Sequence, residues 1–223
     1  MSFIIAIDGP AGSGKGTVTK KVAERLGFIN VDTGAMYRCV TLKALEDGID
    51  LSELEKLDNM LENNLHIELK RENSQQKVFL NQKDVTEKIR MPEVDEYVAK
   101  YAAIRIVRES INKKLKKMPE LGNIIMEGRD IGTAVFPNAD VKIYLDASVE
   151  ERAKRRYKQD LEKGLKISYE EVLNSIIERH KLETEREMDP LRKAEDAIYI
   201  DSSNLSIDEV VDKICDIVNS KMK

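Results

Sequence analysis

An apolar segment, Phe3–Ile7, leads directly into a glycine-rich run of nine residues, Gly9-Pro10-Ala11-Gly12-Ser13-Gly14-Lys15-Gly16-Thr17. An apolar run without alternation predicts a strand that is buried on both faces. The glycine-rich run has the GxxxxGK frame of a P-loop, whose backbone folds so that successive N–H groups point at a phosphate. Val18 and Val22 give the following segment the apolar face of a helix, whose positive end would strengthen the site together with Lys15. We therefore predict a phosphate or nucleotide site at Gly9–Thr17.

The position that usually supplies the metal ligand in a P-loop differs in this sequence. Gly16 takes the position at which Ser or Thr usually ligates Mg²⁺, and Thr17 comes one residue later. The sequence leaves the direct protein ligand open. We expect the ion to be held mainly through phosphates and water, with Thr17 as the candidate protein ligand.

Short apolar runs alternate with helical patterns along the rest of the chain. This alternation predicts an α/β fold in which helices flank a largely parallel sheet. Further strands are predicted at Phe28–Val31, Asn123–Met126, Val141–Leu145 and Ala197–Ile200.

Three helices have recognisable starts, because a serine is followed three residues later by a glutamate, as in a capping box. These pairs are Ser148 with Glu151, Ser168 with Glu171, and Ser206 with Glu209. The last of these helices carries an apolar stripe that predicts burial against the core. The stripe comprises Val210, Val211, Ile214, Ile217 and Val218.

One region breaks the alternation of strands and helices. From Leu65 to Val85 apolar residues recur with period two, and a polar stretch, Arg71–Gln76, interrupts them. We interpret this region as a small antiparallel hairpin inserted into the α/β framework. The prediction is one domain over residues 1–223, with a core at about 1–33 and 120–223 and an inserted lobe at about 34–119.

Composition excludes several classes of protein. The 223 residues carry 37 Lys and Arg against 41 Asp and Glu, so bulk charge does not favour nucleic acid. Two cysteines cannot form a disulfide framework and fit a reducing cytoplasm, and two histidines exclude a His-rich metal centre. No apolar run near the start is long enough for a membrane span or a signal sequence. We expect a cytoplasmic protein that binds neither membrane nor nucleic acid.

Charged segments follow the second and third predicted strands. Asp32–Arg38 comes after one strand, and Glu127–Thr133 comes after the other. Ligands of open α/β sheets bind beyond the carboxyl ends of the strands, so we expect both segments to face the crevice of the P-loop.

Four segments make the sequence similar to a known family: DTGAMYR at 32–38, EGRDIGT at 127–133, ERAKRRY at 151–157 and PLRKAEDA at 190–197. They resemble the bacterial cytidylate kinases, a family of nucleoside monophosphate kinases, and the resemblance extends from about Ile4 to Val211. It implies a P-loop fold with an enlarged acceptor lobe. It also implies transfer of the γ-phosphoryl group of ATP to CMP or dCMP, a requirement for Mg²⁺, and a monomer.

The resemblance also implies roles for individual residues. Arg38, Arg129 and Arg186 would bind the acceptor phosphate, and Thr33 would be a further contact of CMP. Arg108 and Asp130 would bind the cytosine. Arg179 and Glu183 would bind the pentose. Helical periodicity independently predicts residues 179, 183 and 186 on one helix face. The sequence departs from the family pattern at three positions, Ala99, Glu127 and Glu183, of which the last is Asp in some relatives.

A basic helix face at Arg152, Arg155 and Arg156 leads into a predicted lid at about 152–166. A solvated charged face is the alternative interpretation. The family resemblance places Arg155 on the ATP phosphates. Lys15, Arg129, Arg155 and Arg186 with Mg²⁺ would then stabilise the charge of the transferring phosphoryl group, and closure of lid and lobe would exclude water. Because the acceptor is already an oxyanion, no general base is needed.

Two other functions remain open at this point, and a third lacks its motif. Another small-acceptor kinase, such as a UMP/CMP or adenylate kinase, would share the P-loop. A GTP-dependent switch would need an NKxD motif, which the sequence lacks. A nucleic-acid-binding ATPase would use the lid arginines, and salt-sensitive binding to RNA or DNA would reveal it.

Overall fold

The computed structural model describes residues 2–72 and 75–222. In chain order its main elements are β1 (Ile4–Asp8), α1 (Lys15–Leu26), β2 (Ile29–Asp32), α2 (Thr33–Glu46), α3 (Leu54–Asn63), β3 (Ile67–Glu72), β4 (Gln75–Leu80), β5 (Lys83–Asp84), α4 (Pro92–Tyr101), α5 (Arg105–Leu115), β6 (Ile124–Gly128), β7 (Val141–Asp146), α6 (Val149–Glu162), α7 (Tyr169–Glu185), β8 (Ile198–Asp201) and α8 (Ile207–Lys221). Short 3₁₀ turns lie at Lys88–Arg90 and Met118–Leu121, and a π-helical turn lies at Ile131–Val135.

The chain forms two compact units. The first consists of the residues up to Val31 and those from Met118 onward, and the second of Asp32–Lys117. The first unit contains a five-stranded sheet in the order β2-β6-β1-β7-β8. Strand β1 pairs in parallel with β6 and β7, and β7 pairs in parallel with β8. The predicted α/β fold with a parallel sheet is confirmed.

Helices α1 and α8 cover one face of this sheet. Ile5 and Ile7 point to the same face because strand side chains alternate, and both are fully buried. They belong to one apolar cluster with Val18 and Val22 of α1 and with residues of α8, Val210, Val211, Ile214 and Val218. The predicted core stripe of the last helix is thus confirmed.

Four strands of the first unit end at the edge of the sheet where its functional segments begin. β1 ends at Asp8, directly before the P-loop, and β6 ends at Gly128, directly before Arg129. β7 ends at Asp146 and leads into α6, and β8 ends at Asp201. Because parallel strands place their carboxyl ends together, the fold collects these segments at one edge.

The second unit contains α2–α5 and a three-stranded antiparallel sheet, β3-β4-β5. The predicted hairpin is present, and its two strands extend into the polar stretch that separates the two apolar runs. Backbone pairing continues through Glu72 and Gln75, because a solvated hairpin does not require apolar side chains to extend its ladder. Residues 73 and 74 of that stretch lie outside the described residues. Strand β5 has only two residues, too few to leave a periodic pattern.

The helix starts are as predicted, with one difference. Ser168 and Ser206 form complete capping boxes with their glutamates. Ser148 accepts the N–H of Glu151 at 3.2 Å, but the Glu151 carboxylate binds Arg155 Nε instead of completing a box. The guanidinium four residues later attracts this carboxylate more strongly than a neutral backbone N–H.

Helix α7 ends at Glu185, one residue before Arg186, which the predicted helix face includes. Arg186 is the C-cap residue and has an extended backbone, with φ −61° and ψ 144°. Arg179 and Glu183 therefore share a helix face, whereas Arg186 leaves it. The prediction that all three lie on one face is wrong for Arg186.

Within the described residues, we find no helix with the length and apolar character needed to span a bilayer.

Candidate active site

The P-loop passes so close to neighbouring backbone that two of its positions accept only glycine. A Cβ on Gly9 would lie 1.9 Å from the carbonyl oxygen of Leu145, and the φ of Gly9 is 152°. A Cβ on Gly12 would lie 2.9 Å from the Cβ of Arg152. Helix α1 begins at Lys15, so its first N–H groups have no intrahelical acceptor and are available to an anion.

Lys15 lies over this loop and is buried, with 5% of its surface exposed. Its Nζ donates to the carbonyl oxygen of Pro10 at 2.7 Å and lies 3.3 Å from Ser13 Oγ. Burial, assisted by the charge of Arg129, lowers the pKa of the Lys15 ammonium from 10.5 to about 7. The loop thus holds a cation that is poorly solvated and would gain from a phosphate anion.

Two arginines of α6 bind the backbone of the P-loop. Arg152 donates to the carbonyl oxygens of Ala147 and Ala11, each at 3.1 Å. Arg155 donates to the Ser13 carbonyl at 3.4 Å, and its Nη2 donates to the Ser202 carbonyl at 2.7 Å. The alternative interpretation of this face as merely solvated charge is wrong, because these two arginines bind backbone carbonyls.

Arg156, the third arginine of the predicted basic face, points elsewhere. Its Nε pairs with the carboxylate of Asp160 at 3.0 Å, one turn further along α6. The geometry therefore separates Arg156 from Arg152 and Arg155.

A buried carboxylate, Glu183, joins two arginines of the first unit. Its Oε2 accepts from Arg129 Nε at 2.7 Å and its Oε1 accepts from Arg179 Nε at 3.0 Å. Burial alone would raise the pKa of Glu183, but the two guanidinium groups outweigh it and hold the pKa at about 2. These ion pairs stabilise the fold at neutral pH, and that stabilisation is lost only as the pH falls from 4.5 towards 2.

Asp130 and Arg186 form a second buried pair in the same unit. Arg186 Nη2 lies 3.3 Å from Asp130 Oδ1, and its Nε donates to the Asp189 carbonyl at 2.8 Å. Arg186 reaches this pair because the chain turns away from α7 at its C-cap. Sequence periodicity could not reveal this, since the pair spans 56 positions in the chain.

The second unit holds the remaining predicted site residues. Asp32 caps α2 by accepting the N–H of Ala35, and Thr33 is buried as the first residue of that helix. Arg38 donates to the Ile89 carbonyl at 3.1 Å and pairs with Asp95.

Arg108 is the most deeply buried arginine among the predicted site residues of this unit, with 1% of its surface exposed. It donates to the Ala102 carbonyl at 3.2 Å, and its guanidinium carbon lies 5.5 Å from the ring centre of Tyr37. The ring face and the carbonyl together hold the plane of the guanidinium in place.

The structure adds two residues to this region that the sequence did not single out, Asp8 and Ser202, and it gives Arg152 of the predicted basic face a defined contact. Arg152 and Ser202 bind carbonyl oxygens of the P-loop, and Asp8 accepts backbone N–H groups from the segment after Arg129. Of these two added residues, Asp8 left a signal in the sequence, because it is a charged residue at the end of an otherwise apolar strand.

Comparison with known proteins identifies the relatives of this chain. A family model described as cytidylate kinase matches residues 5–220. The chain is 52% identical over 219 residues to a cytidylate kinase from Bacillus subtilis, with 98% of this chain and 97% of the relative covered. It is 48% identical over 217 residues to a cytidylate kinase from Carboxydothermus hydrogenoformans, with 97% of each chain covered.

A crystal structure of an uncharacterized protein from Eubacterium ventriosum has the same fold. The TM-score is 0.54 at 15% sequence identity, with 98% of this chain and 99% of that chain covered.

Proposed function

The chain belongs to the cytidylate kinase family, and on that premise we propose that it transfers the γ-phosphoryl group of ATP to CMP or dCMP. The products are CDP or dCDP and ADP. The observation that carries the proposal is the P-loop with its buried Lys15, in the same unit as Arg129 and its partner, the buried carboxylate of Glu183. A phosphate cradle beside a second fixed cation suits a reaction between two phosphates.

The donor side consists of the P-loop residues Gly9–Thr17. The N–H groups at the start of α1 and the Lys15 ammonium bind the β- and γ-phosphates. Arg155 supports this side through its bond to the Ser13 carbonyl, which places its guanidinium next to the loop. We assign Arg155 to the ATP phosphates on this basis.

The acceptor side uses arginines for the phosphate and a carboxylate for the base. Arg38, Arg129 and Arg186 bind the acceptor phosphate, since planar guanidinium groups match phosphate oxygens in pairs. Asp130 and Arg108 read the cytosine. Arg179 and Glu183 orient the pentose, and Thr33 is a further contact of the acceptor.

Phosphoryl transfer at this site needs alignment and positive charge and no proton acceptor. The phosphate oxygen of CMP is ionised at neutral pH, so it attacks without a general base. Charge that spreads over the transferring group meets Lys15, Arg129, Arg155 and Arg186. Residues at about 152–166 serve as the lid and those at about 34–119 as the acceptor lobe in this proposal, and the enzyme acts as a monomer in the cytoplasm.

A magnesium ion fits the oxygen ligands around the P-loop. Thr17 is exposed in the first turn of α1, and a Cβ on Gly16 would lie 3.1 Å from Glu127 Oε1. Hydroxyl and carboxylate oxygens are the ligands that Mg²⁺ prefers, directly or through water. When bound, the ion neutralises charge on the phosphate oxygens. Among the described residues there is no cluster of three or more His, Cys, Asp or Glu side chains that could hold an ion.

The test of the proposed function is a coupled assay of ADP formation with CMP, dCMP, UMP and AMP as acceptors at saturating ATP. We expect CMP and dCMP to be used well and UMP clearly less. Efficient use of AMP or UMP in preference to CMP would assign the enzyme to another small-acceptor kinase. ADP formation stimulated by RNA or DNA instead would identify a nucleic-acid-dependent ATPase.

Substitution of Asp130 by Asn is expected to narrow the preference for CMP over UMP. The carboxylate accepts the cytosine amino group, which uracil lacks, and an amide can also present a donor to uracil. The measurement is the ratio of kcat/KM for CMP to that for UMP, with dCMP as an internal control that shares the cytosine. An unchanged ratio would show that another residue reads the base.

Substitution of Glu183 by Gln is expected to lower kcat/KM for CMP and dCMP together by about tenfold or more, because charged hydrogen bonds to two arginines are weakened. The ratio of CMP to UMP should stay constant, since Glu183 does not read the base. Glu178→Gln on the exposed side of α7 is the matched control. A change in the CMP to UMP ratio without loss of overall efficiency would contradict the assignment.

A further inference from the structure

Asp8 joins the end of the central strand to the segment that follows Arg129. Its Oδ1 accepts the N–H of Ile131 at 2.8 Å, and its Oδ2 accepts the N–H of Gly132 at 2.7 Å. Only 5% of its surface is exposed. Both carboxylate oxygens are therefore directed at backbone, on a segment 124 positions away in the chain.

The two N–H groups open the π-helical turn at Ile131–Val135. Later amides of this turn donate to the carbonyl of Asp130, at 2.9 Å from Ala134 and 3.2 Å from Val135. The first N–H groups of a helical turn have no acceptor within it, and here Asp8 supplies one for each. The turn is thus held from both sides, and Asp130 lies immediately before it.

Gly132 lies close to Asp8 and to the side chain of Lys142. A Cβ at this position would lie 3.1 Å from Lys142 Cδ and 3.4 Å from Asp8 Oδ2. A side chain at this position would therefore press on Lys142, whereas Asp8 would lie at an ordinary contact distance.

We propose that Asp8 is a positioning residue that holds the Arg129–Asp130 segment in place for the acceptor nucleotide. The inference rests on the proposed function, because it gives these two side chains the acceptor phosphate and the base. Glu183 then orients the side chain of Arg129, and Asp8 anchors the backbone that follows Asp130. Positioning of this kind affects turnover because small displacements of a substrate contact lower the rate steeply.

The Asp8 carboxylate lies near other ionisable groups. Burial raises the pKa of the Asp8 carboxyl from 3.8 to about 6, despite the two N–H groups that lower it. Asp130 raises this pKa further and Lys15 opposes it, while Tyr144 faces the same carboxylate from β7. At neutral pH the ionised group therefore lowers the free energy of unfolding relative to an ordinary aspartate.

The test compares Asp8→Asn with Asp140→Asn in the full-length protein. Asp140 is the matched control, because its carboxylate accepts the N–H of Ile4 at the opposite end of the same strand. The amide in Asp8→Asn keeps the shape of the side chain but presents an NH₂ donor where one backbone N–H needs an acceptor. We expect Asp8→Asn to raise KM for CMP and lower kcat/KM by about tenfold to a hundredfold. KM for ATP should stay near that of the wild type, and Asp140→Asn should match the wild type in all constants.

A second measurement does not depend on activity. Amide hydrogen exchange at Ile131 and Gly132, measured by NMR, should be faster in Asp8→Asn than in the wild type and unchanged in Asp140→Asn. A lower melting temperature with unchanged kinetic constants would overturn the proposal in favour of a structural role. An equal rise in KM for ATP and CMP would also overturn it and assign Asp8 to the P-loop. Failure of the wild type to phosphorylate CMP would instead refute the proposed function.

Discussion

Lys15→Ala is expected to reduce kcat by about a hundredfold or more, because it removes a cation that stabilises charge on the transferring phosphoryl group. The fold should persist. Burial lowers the pKa of Lys15 to about 7, so its charged form is less stable in the folded than in the unfolded protein. Loss of that charge should not lower the melting temperature, which circular dichroism would check. Lys15→Met keeps much of the buried aliphatic stem and should lose the same activity.

The matched control for Lys15 is Lys20→Ala, an exposed lysine on the same helix. It should leave kcat and both KM values at the wild-type level. Near-normal turnover of Lys15→Ala in a folded protein would contradict the P-loop assignment. Equal losses in Lys15→Ala and Lys20→Ala would show that the charge of α1 in general, rather than the loop lysine, is required.

Arg129→Lys is expected to reduce kcat/KM for CMP by about a hundredfold although the charge is conserved. Lysine lacks the planar fork of guanidinium, so it cannot bind Glu183 through Nε and a phosphate through its terminal nitrogens at the same time. The substitution also leaves the buried Glu183 carboxylate with one fewer guanidinium partner. Steady-state kinetics with CMP varied at saturating ATP is the measurement.

Arg25→Lys is the matched control for Arg129→Lys. Arg25 lies exposed on α1 and pairs with Asp212, so the same chemical change there should leave the kinetic constants intact. If Arg129→Lys altered only the dependence on ATP, Arg129 would belong to the donor side. Kinetic constants equal to those of Arg25→Lys would remove Arg129 from the phosphate-binding set altogether.

The features that could be predicted from sequence are those set by neighbouring residues. The strand before the P-loop, the helix after it and the capping boxes at Ser168 and Ser206 depend on residue types within a few positions. The sheet class follows from the same local patterns, because strands buried on both faces leave continuous apolar runs. These predictions are confirmed, and the family membership agrees with the four segments that suggested it.

Local patterns did not mark where the hairpin strands or helix α7 end. The stretch Arg71–Gln76 is polar, yet its described residues extend two strands, since a ladder is held by backbone groups that all residues share. Helix α7 ends at Glu185, so Arg186 does not follow the helical spacing from Arg179. Charged residues occur both inside helices and beyond their ends, so residue types alone do not mark where α7 ends.

The amino-acid order alone determined the phosphate loop and the class of fold, whereas tertiary structure decided which charges meet. Arg129 and Glu183 are 54 positions apart, and Asp8 and Gly132 are 124 apart. Arginines and carboxylates occur throughout the chain, and their order in the sequence does not say which of them pair. The side chains of the pairs at this site come from the carboxyl ends of β1 and β6 and from the end of α7. The pairs form because the fold brings these side chains together away from water. There an unpaired charge would be strongly unfavourable.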